Sequence, residues 1–499
     1  MGTYLVVALV AFRVANALFV RTYFNPDEFW QSSEVAHHMV FGYGYLTWEW
    51  QPHARLRGYA HPSIFALLYK ILEMLNLDTA WNVAYGPRIL QGVFTAMTDF
   101  FVYKLAQKYF DSTTAKYTLF CQLSSWFTYF AMSRTFSNSM EACCTTIALS
   151  FWPWNDTGSL KREGSPSTVE LRQQRLAFAF AALGCVFRPT NAVLWVFLSV
   201  LLLWRTSHKA SLLLRTILPI GIMAIIVMLV IDRIGYGVWT FVPFNFVKFN
   251  VLEGKDKLYG VHPWYWYFVA MYPEITATFL PFILYGAYIS PKRRELGAAV
   301  LWALSIFSLG AHKEPRFLLP LLPASFVYAG KGMRAIESKR FFKPLVALIV
   351  LLNGTAAVYF SRFHQRAPLD VMDFLAGNVK ATDSIDFLLP CHATPFLSHL
   401  HQNISTWFPT CAPEERENDN SPSDQLRRDP LGFARRRYVD PSTLPTHLVM
   451  YSSSAKVLKE QLAFWKFELQ KEFAHSTISM DADVAVPDTH MLVYQRVPM

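Results

Sequence analysis

Two adjacent carboxylates near the start of the chain have the type and position of a general base. Asp27 and Glu28 follow Pro26 in the segment NPDE, directly after the first apolar stretch. An ionised carboxylate removes a proton from a hydroxyl nucleophile as the new bond forms. The same residues also fit a purely structural role, because Asn25 is a good helix cap, Pro26 suits the first helical position and acids in the first turn favour the helix dipole.

A second charged group, HKEPRF at residues 312–317, has the composition of an anion site. Its proline is expected to begin a helix, with His312, Lys313 and Arg316 on either side of it. A helix N-terminus with neighbouring cations favours an anion such as a phosphate. The alternative is a loop whose cations pair with the intervening glutamate. Arg188, followed by a proline at another predicted helix start, is a further candidate for anion binding.

The elements that must position these residues are predicted to lie in a membrane. The chain has 499 residues, of which 53% are hydrophobic and 16% charged. A soluble protein usually has about a quarter of its residues charged, so most of this chain does not face water. The net charge of +10 is spread over short loops between apolar runs. That distribution is typical of a polytopic membrane protein rather than of a nucleic-acid-binding protein, so no nucleic-acid partner is expected.

Apolar segments of roughly 17 to 25 residues are needed to cross a bilayer, and about eleven candidates occur in residues 1–360. Residues 361–499 are more polar and predict a small mixed α/β domain, with a mobile loop around residues 411–430 and an amphipathic helix around residues 452–467. The predicted spans are Tyr4–Val20, Ala84–Gln107, Ala115–Met132, Ser139–Trp154, Leu176–Val186, Asn191–Trp204, Leu212–Ile231, Trp264–Ile289, Leu296–Leu309, Phe317–Ala329 and Leu345–Phe360.

Alternation of basic and mixed-charge loops predicts the orientation of the spans. The positive-inside rule places the basic loops and the N-terminus in the cytosol, and residues 361–499 on the opposite side. In an oxidising compartment Cys391 and Cys411 are expected to form a disulfide. Of three glycosylation sequons, Asn403 is predicted to be used, whereas Asn155 falls in a cytosolic loop and Asn353 inside a span.

Both charged groups resemble motifs of one enzyme family. NPDEFWQSSEVAHHMVFGYGYLTWEW resembles the first luminal loop of the dolichyl-phosphate-mannose-dependent mannosyltransferases of the endoplasmic reticulum, and HKEPRF resembles their His-Lys-Glu-x-Arg-Phe motif. The resemblance implies a GT-C fold, a long luminal first loop and inverting transfer of mannose from dolichyl-phosphate mannose without a metal. It also implies that Asp27 or Glu28 is catalytic and that the basic group binds the donor phosphate.

Within the family, the chain is most similar to the members of GPI-anchor assembly. The segments DRIGYGVWTFVPFNFVKFNVL and LPCHATPFLSHLH carry this likeness. It implies α1,2 transfer to a GPI precursor with two mannoses, in the endoplasmic reticulum membrane and without an obligate protein subunit. A sister enzyme of N-glycan assembly, a transporter or a non-catalytic scaffold are the alternatives. The candidate acceptor-binding residues are Glu34, His38, Trp48, Glu49 and His262.

Overall fold

The described residues up to Asn378 are mostly helical. The computed structural model describes residues 2–154, 167–417, 420–477 and 488–497. The sequon at Asn155 therefore lies outside the described residues. The α-helices up to this point are Gly2–Phe19, Glu34–Phe41, Ala60–Met74, Ala80–Tyr109, Ser112–Ser124, Trp126–Ala131, Ser137–Phe151, Thr168–Phe187, Ala192–Arg205, Lys209–Leu212, Leu218–Tyr236, Val242–Val247, Tyr272–Thr276, Leu280–Tyr288, Glu295–Leu309, Leu322–Ala335, Phe342–Arg362 and Ala367–Asn378.

Short π- and 3-10-helical turns interrupt or extend these helices. The predicted span Trp264–Ile289 is a composite, since a π turn, an α-helix, a 3-10 turn and a second α-helix follow one another between Tyr267 and Tyr288. The π turns are Phe29–Ser33, Leu213–Ile217, Lys248–Leu252 and Tyr267–Met271, and the 3-10 turns are Trp48–Trp50, Pro189–Asn191, Lys255–Tyr259, Ala277–Phe279, Pro315–Leu321 and Pro441–Thr443.

Long apolar helices make this a membrane protein. Among the described residues, the helices long and apolar enough to cross a bilayer are Gly2–Phe19, Lys209–Tyr236, Tyr267–Tyr288 and Phe342–Asn378. Shorter apolar helices cover Pro189–Arg205 and Glu295–Leu309. A count of about eleven spans stays a prediction.

The chain forms two compact units, each discontinuous in sequence. The helical unit comprises Met1–Leu18, Pro52–His61 and Arg88–Ala357. The sheet unit comprises Phe19–Gln51, Pro62–Pro87 and Val358–Met499. The predicted domain boundary between residues 360 and 361 stays a prediction, but the sheet unit also contains parts of the first loop.

Close backbone contacts and one buried ion pair hold the helical unit together. A Cβ added to Gly286 would lie 1.9 Å from the carbonyl oxygen of Tyr328, and one added to Gly332 would lie 2.4 Å from that of Phe282. The helices Leu280–Tyr288 and Leu322–Ala335 therefore pack with their backbones in contact. Arg13 is fully buried inside the first helix and donates to Asp99 from Nε at 2.5 Å and from Nη2 at 2.9 Å. A charge inside an apolar span is costly without such a partner.

The sheet unit is built on five mixed strands in the order β2-β1-β3-β5-β4. Strands β1 and β2 pair in parallel, as do β1 and β3, whereas β5 pairs antiparallel with β3 and β4. Alternating apolar residues of the strands pack against the helix Ala367–Asn378 and, from the first loop, against Phe29 and Trp30. The strands are β1 Ser384–Leu388, β2 Ser405–Trp407, β3 His447–Tyr451, β4 Phe467–Ala474 and β5 His490–Arg496.

Two predictions for the C-terminal region need correction. The segment predicted as a mobile loop contains the short helices Pro413–Arg416 and Pro422–Arg428, the second capped by the Ser421 side chain. The predicted single amphipathic helix is two short ones, because the chain turns at Leu458 between Ser452–Val457 and Lys459–Phe464. Three more short helices, Leu397–Leu400, Pro430–Arg437 and the 3-10 turn Pro441–Thr443, complete this region.

The structure describes the two predicted disulfide cysteines and two of the three sequon asparagines. Cys391 and Cys411 are joined in a disulfide, with their Cα atoms 6.0 Å apart. Asn353 is buried, and its amide nitrogen donates to Thr278 Oγ1 at 2.7 Å, so this sequon is inaccessible to a glycosylating enzyme. Asn403 is exposed, and its glycosylation stays a prediction.

Candidate functional site

The segment that carries Asp27 and Glu28 is the capped start of a helix. The side chain of Asn25 accepts a hydrogen bond from the Asp27 backbone N–H at 3.0 Å, and the Asn25 carbonyl accepts one from Glu28 N–H at 3.2 Å. Asn25 is therefore the cap, as its type predicts. Asp27 contributes its backbone N–H to this cap.

A π-helical turn, Phe29–Ser33, follows the two carboxylates directly. Such turns are rare in proteins as a whole, and those that occur often lie at functional sites, because the extra residue changes the direction in which side chains point. Phe29 and Trp30 of this turn lie in the core of the sheet unit. The helix then continues as Glu34–Phe41 and ends at Gly42 in the left-handed conformation. The helix that Asn25 and Pro26 predict is thus present, with a π turn that its sequence does not reveal.

Asp27 and Glu28 lie in different local environments. Glu28 is fully buried, whereas Asp27 is only partly buried. Burial, Glu28 and Asp27 all act to raise the pKa of Tyr23 well above its ordinary value. Burial lowers the pKa of His392 to about 4 against the opposing effect of the Asp27 carboxylate. The more accessible Asp27 is the better placed of the two to meet a substrate.

Four of the predicted acceptor-binding residues belong to the same unit as Asp27. Glu34 is fully buried and accepts three hydrogen bonds from the segment around Ser398. Glu49 accepts from Gln31 Nε2 at 3.1 Å and is partly exposed. His38 and Trp48 are also partly exposed.

The second charged group, in the helical unit, is organised by Glu314. Its carboxylate accepts from Arg316 Nε at 2.5 Å and Nη2 at 2.8 Å, and contacts His312 Nε2 at 2.9 Å. The structure thus forms one of the internal pairs that the sequence left open. Burial alone would raise the pKa of Glu314, but Arg316 and His312 bring it well below its ordinary value. In return, the hydrogen bond and charge of Glu314 raise the pKa of His312 despite burial.

Backbone carbonyls hold the lysine of this group. Lys313 Nζ donates to the carbonyl oxygens of Gly310 and His262, the latter at 3.0 Å. His262 stacks on Trp266, with ring centroids 4.1 Å apart. Burial and the neighbouring cations lower the pKa of His262. His262, predicted to bind the acceptor, therefore lies in the helical unit beside Lys313 and apart in sequence and unit from the other acceptor candidates.

Arg188 and Arg316 both lie beside the ring of Phe317. The guanidinium carbon of Arg188 lies 4.9 Å from the centroid of Phe317, and that of Arg316 lies 5.4 Å from it. Arg188 is itself paired with Glu141, at 3.7 Å, and donates to Ser137 Oγ at 3.2 Å. The predicted cations are thus gathered in the helical unit, each held in place by a carboxylate or a carbonyl.

Two residues of this group, Glu141 and Tyr267, were not singled out from the sequence. Glu314 orients Arg316, Glu141 orients Arg188, and the Tyr267 hydroxyl bonds both the N–H and the carbonyl of Glu314, at 3.0 and 3.1 Å. A carboxylate inside an apolar span, such as Glu141, is a signal that sequence reasoning has available. Nothing local marks Tyr267, because it lies 47 positions before its partner.

One group of potential metal ligands occurs among the described residues. The ligand atoms of Cys391, His392 and Cys411 lie within 4.8 Å of one another. The two thiols are joined in the disulfide, however, and a metal requires deprotonated thiolates. This group therefore does not fit a resident metal in the oxidised protein.

Comparison with known proteins decides the family. Residues 4–401 match the Alg9-like mannosyltransferase family. The chain belongs to that family. It is 37% identical to mannosyltransferase APTG1 of Arabidopsis thaliana, over 95% of this chain and 89% of that protein. It is also 37% identical to GPI alpha-1,2-mannosyltransferase 3 of Homo sapiens, over 99% of this chain and 87% of that protein.

Solved structures give the fold of this family member. The chain is similar to ArnT from Cupriavidus metallidurans bound to undecaprenyl phosphate, with a TM-score of 0.62, 13% identity and coverage of 99% of this chain and 98% of that one. The Archaeoglobus fulgidus oligosaccharyltransferase tethered with an acceptor peptide is similar at a TM-score of 0.50, with 12% identity and coverage of 93% and 71%. The mannosyltransferase has the GT-C fold, as its sequence predicts.

Proposed function

We propose that this membrane mannosyltransferase transfers mannose from dolichyl-phosphate mannose to the second mannose of a GPI-anchor precursor, in α1,2 linkage. The observation that carries the proposal is similarity over nearly the whole chain to relatives named GPI alpha-1,2-mannosyltransferase 3. The reaction takes place on the luminal side of the endoplasmic reticulum membrane, in a multi-pass protein that acts without an obligate protein subunit. Its lipid partners are the donor, the GPI precursor and the bilayer.

Asp27 is the base in the proposed reaction. The acceptor hydroxyl attacks C1 of the donor mannose, the bond from C1 to the phosphate oxygen breaks, and configuration at C1 inverts. The hydroxyl proton passes to Asp27, and dolichyl phosphate leaves. One observation supports Asp27 over Glu28: Asp27 is partly exposed, whereas Glu28 is fully buried. The position of Asp27 in the first turn of the helix favours the ionised form that a base needs.

The cations of the helical unit are the proposed ligands of the donor phosphate. A phosphate that departs with its lipid needs positive charge rather than a general acid, and no metal is part of the proposal. The ion pair with Glu314 supports this role for Arg316, because it fixes the guanidinium in one orientation before substrate arrives. Arg188 lies 3.7 Å from the Glu141 carboxylate and donates to Ser137 Oγ at 3.2 Å. Lys313 and His312 are the other basic residues of this group, and Glu314 raises the pKa of His312.

The test is transfer of labelled mannose by purified protein in nanodiscs. The acceptors are a GPI precursor with two mannoses and a lipid-linked N-glycan precursor, and an α1,2-specific mannosidase checks the linkage. Transfer to the first acceptor alone supports the proposal. Preference for the second would make the chain the sister enzyme of N-glycan assembly, and no transfer to either would leave the transporter and scaffold alternatives.

Asp27→Asn is expected to lower transfer by roughly 10²–10⁴-fold, the usual contribution of a general base. Folding should be nearly unchanged, because Asn25 provides the cap. The matched control is Asp440→Asn, an exposed carboxylate that also begins a helical turn in the same unit. Glu28→Gln should do less harm than Asp27→Asn. Near-normal transfer by Asp27→Asn, at normal expression, would move the base elsewhere.

A further inference from the structure

The helix that carries Asp27 is fastened along its length by a distant segment of the chain. This segment, residues 392–401, is called the strap. The Tyr23 hydroxyl donates to the carbonyl of His392, and Trp30 Nε1 donates to that of Thr394 at 3.0 Å. Further along, His37 Nε2 lies 3.1 Å from His401 Nδ1. The contacts advance in the same order along both segments, so the strap runs beside the helix in one register.

Glu34 forms the centre of this contact. Its Oε1 accepts from Phe396 N–H at 2.7 Å and from Ser398 Oγ at 2.6 Å, and its Oε2 accepts from Ser398 N–H at 3.0 Å. Both carboxylate oxygens are thus engaged, and the residue is 0% exposed. A carboxylate in this setting has no surface to offer a sugar. The geometry argues against the acceptor-binding role that the sequence suggested for Glu34.

The position of Glu34 relates it to the proposed base. It lies seven residues after Asp27, which is about two helical turns and roughly 10 Å along the axis. The π turn Phe29–Ser33 lies between them. Since a π turn is a local irregularity without strong intrinsic preference, the helix on either side of it needs tertiary contacts to fix its rotation. The strap supplies such contacts within the turn, at Trp30, and directly after it, at Glu34.

We propose that Glu34 is a positioning residue, which holds the strap against the helix and thereby fixes the orientation of Asp27. The inference rests on the proposed function, in which Asp27 is the base. The disulfide of Cys391 fixes the chain immediately before the strap, so the segment that Glu34 binds is itself anchored. Misplacement of a reacting group by about 1 Å costs on the order of 100-fold in rate.

The test compares Glu34→Gln, Ser398→Ala and the double variant in the mannose-transfer assay. Glu34→Gln is expected to lower kcat by roughly 10–100-fold, with the KM for the acceptor within about twofold of the wild type. Ser398→Ala should have a smaller effect, and Ser398→Thr, which keeps the hydroxyl, should restore kcat. Because both single changes break the same contact, the double variant should be no worse than Glu34→Gln.

Asp386→Asn is the matched control. Asp386 is another buried carboxylate of the sheet unit, with donors from Arg437 at 2.8 Å and Tyr438 at 2.8 Å, and it has no hydrogen bond with the strap among those of the described residues. This variant should lower the melting temperature but leave kcat per folded molecule unchanged. If Asp386→Asn lost as much kcat as Glu34→Gln, the effect of Glu34→Gln would be explained by a general loss of stability, and the proposal would fail.

A change in acceptor KM alone in Glu34→Gln would make Glu34 an acceptor ligand and overturn the proposal, and so would an unchanged kcat. Amide hydrogen exchange provides a readout that needs no activity. Exchange over residues 27–41 should be faster in Glu34→Gln and in Ser398→Ala than in the wild type. If the wild type transfers no mannose to any acceptor but exchange changes in this way, the proposed function fails while the strap contact stands. Unchanged exchange would refute the contact itself.

Discussion

Removing Arg316 separates its structural role from its proposed role at the donor phosphate. Arg316→Ala deletes the donors at 2.5 and 2.8 Å from the Glu314 carboxylate, which keeps its contact with His312. The Arg316 side chain is 4% exposed and that of Glu314 16%, so the pair is largely shielded from water. Breaking a buried pair from one side costs about 3–5 kcal/mol, because the remaining charge is left buried. Glu314→Gln together with Arg316→Ala removes that charge, and should recover part of the loss.

The assay measures melting temperature and donor kinetics for both single variants and the double variant. Arg316→Ala should melt below the double variant, and Glu314→Gln keeps the arginine as a control. If Arg316 binds the phosphate, the double variant still loses about 1.5–3 kcal/mol of donor binding. That corresponds to a donor kcat/KM about 10–150-fold below the wild type. A double variant that melts no higher than Arg316→Ala would refute the reasoning about a Glu314 carboxylate left without its arginine. Unchanged donor kinetics would remove Arg316 from the phosphate site.

Three further outcomes are expected. Because the pKa of His312 is raised in the folded protein, the charge of His312 stabilises the fold fully below about pH 6.5, and this stabilisation is lost as the pH rises through the raised pKa. The melting temperature should therefore fall as the pH rises through this range, and the fall should be smaller in His312→Asn. Arg13→Ala should cost about 3–5 kcal/mol by leaving the buried Asp99 carboxylate with the Gln122 amide but without its cationic partner, and the double variant with Asp99→Ala should melt higher than Arg13→Ala. Glycosidase treatment should shift the gel mobility of the wild type but not of Asn403→Gln; no shift in the wild type would contradict the luminal assignment.

The sequence predicts those features that depend on the chemistry of one or two residues. Asn25 and Pro26 predict a helix start, and the cap is present. Arg13 in an apolar span predicts a buried partner, although sequence alone does not identify it as Asp99. Cys391 and Cys411 predict a disulfide from their type and compartment, and they form one. In each case the reason lies in the chemistry of one or two residues.

Other features depend on contacts that have no local signature. The helix Ala60–Met74 falls in the loop between the first two predicted spans, because its 15 residues are fewer than a bilayer crossing needs. The breaks within Tyr267–Tyr288 coincide with Pro273 and with Ala277 at a φ of 43°, and only the proline is visible as a breaker. The role of Glu34 depends on Ser398, 364 positions away, so no window of sequence could reveal it.

The packing of Phe29 and Trp30 into the core of the sheet unit has a consequence for biosynthesis. Their partners in that core include Ile385, Val449 and Val493, which leave the ribosome only after some 350 to 460 further residues. At a synthesis rate of about 5–20 residues per second, these partners are made on the order of 20–90 s after the helix of the first loop. During that time its aromatic side chains are exposed and in need of a chaperone. A premature stop anywhere in the last strands would therefore leave the start of the protein unfolded as well as its end.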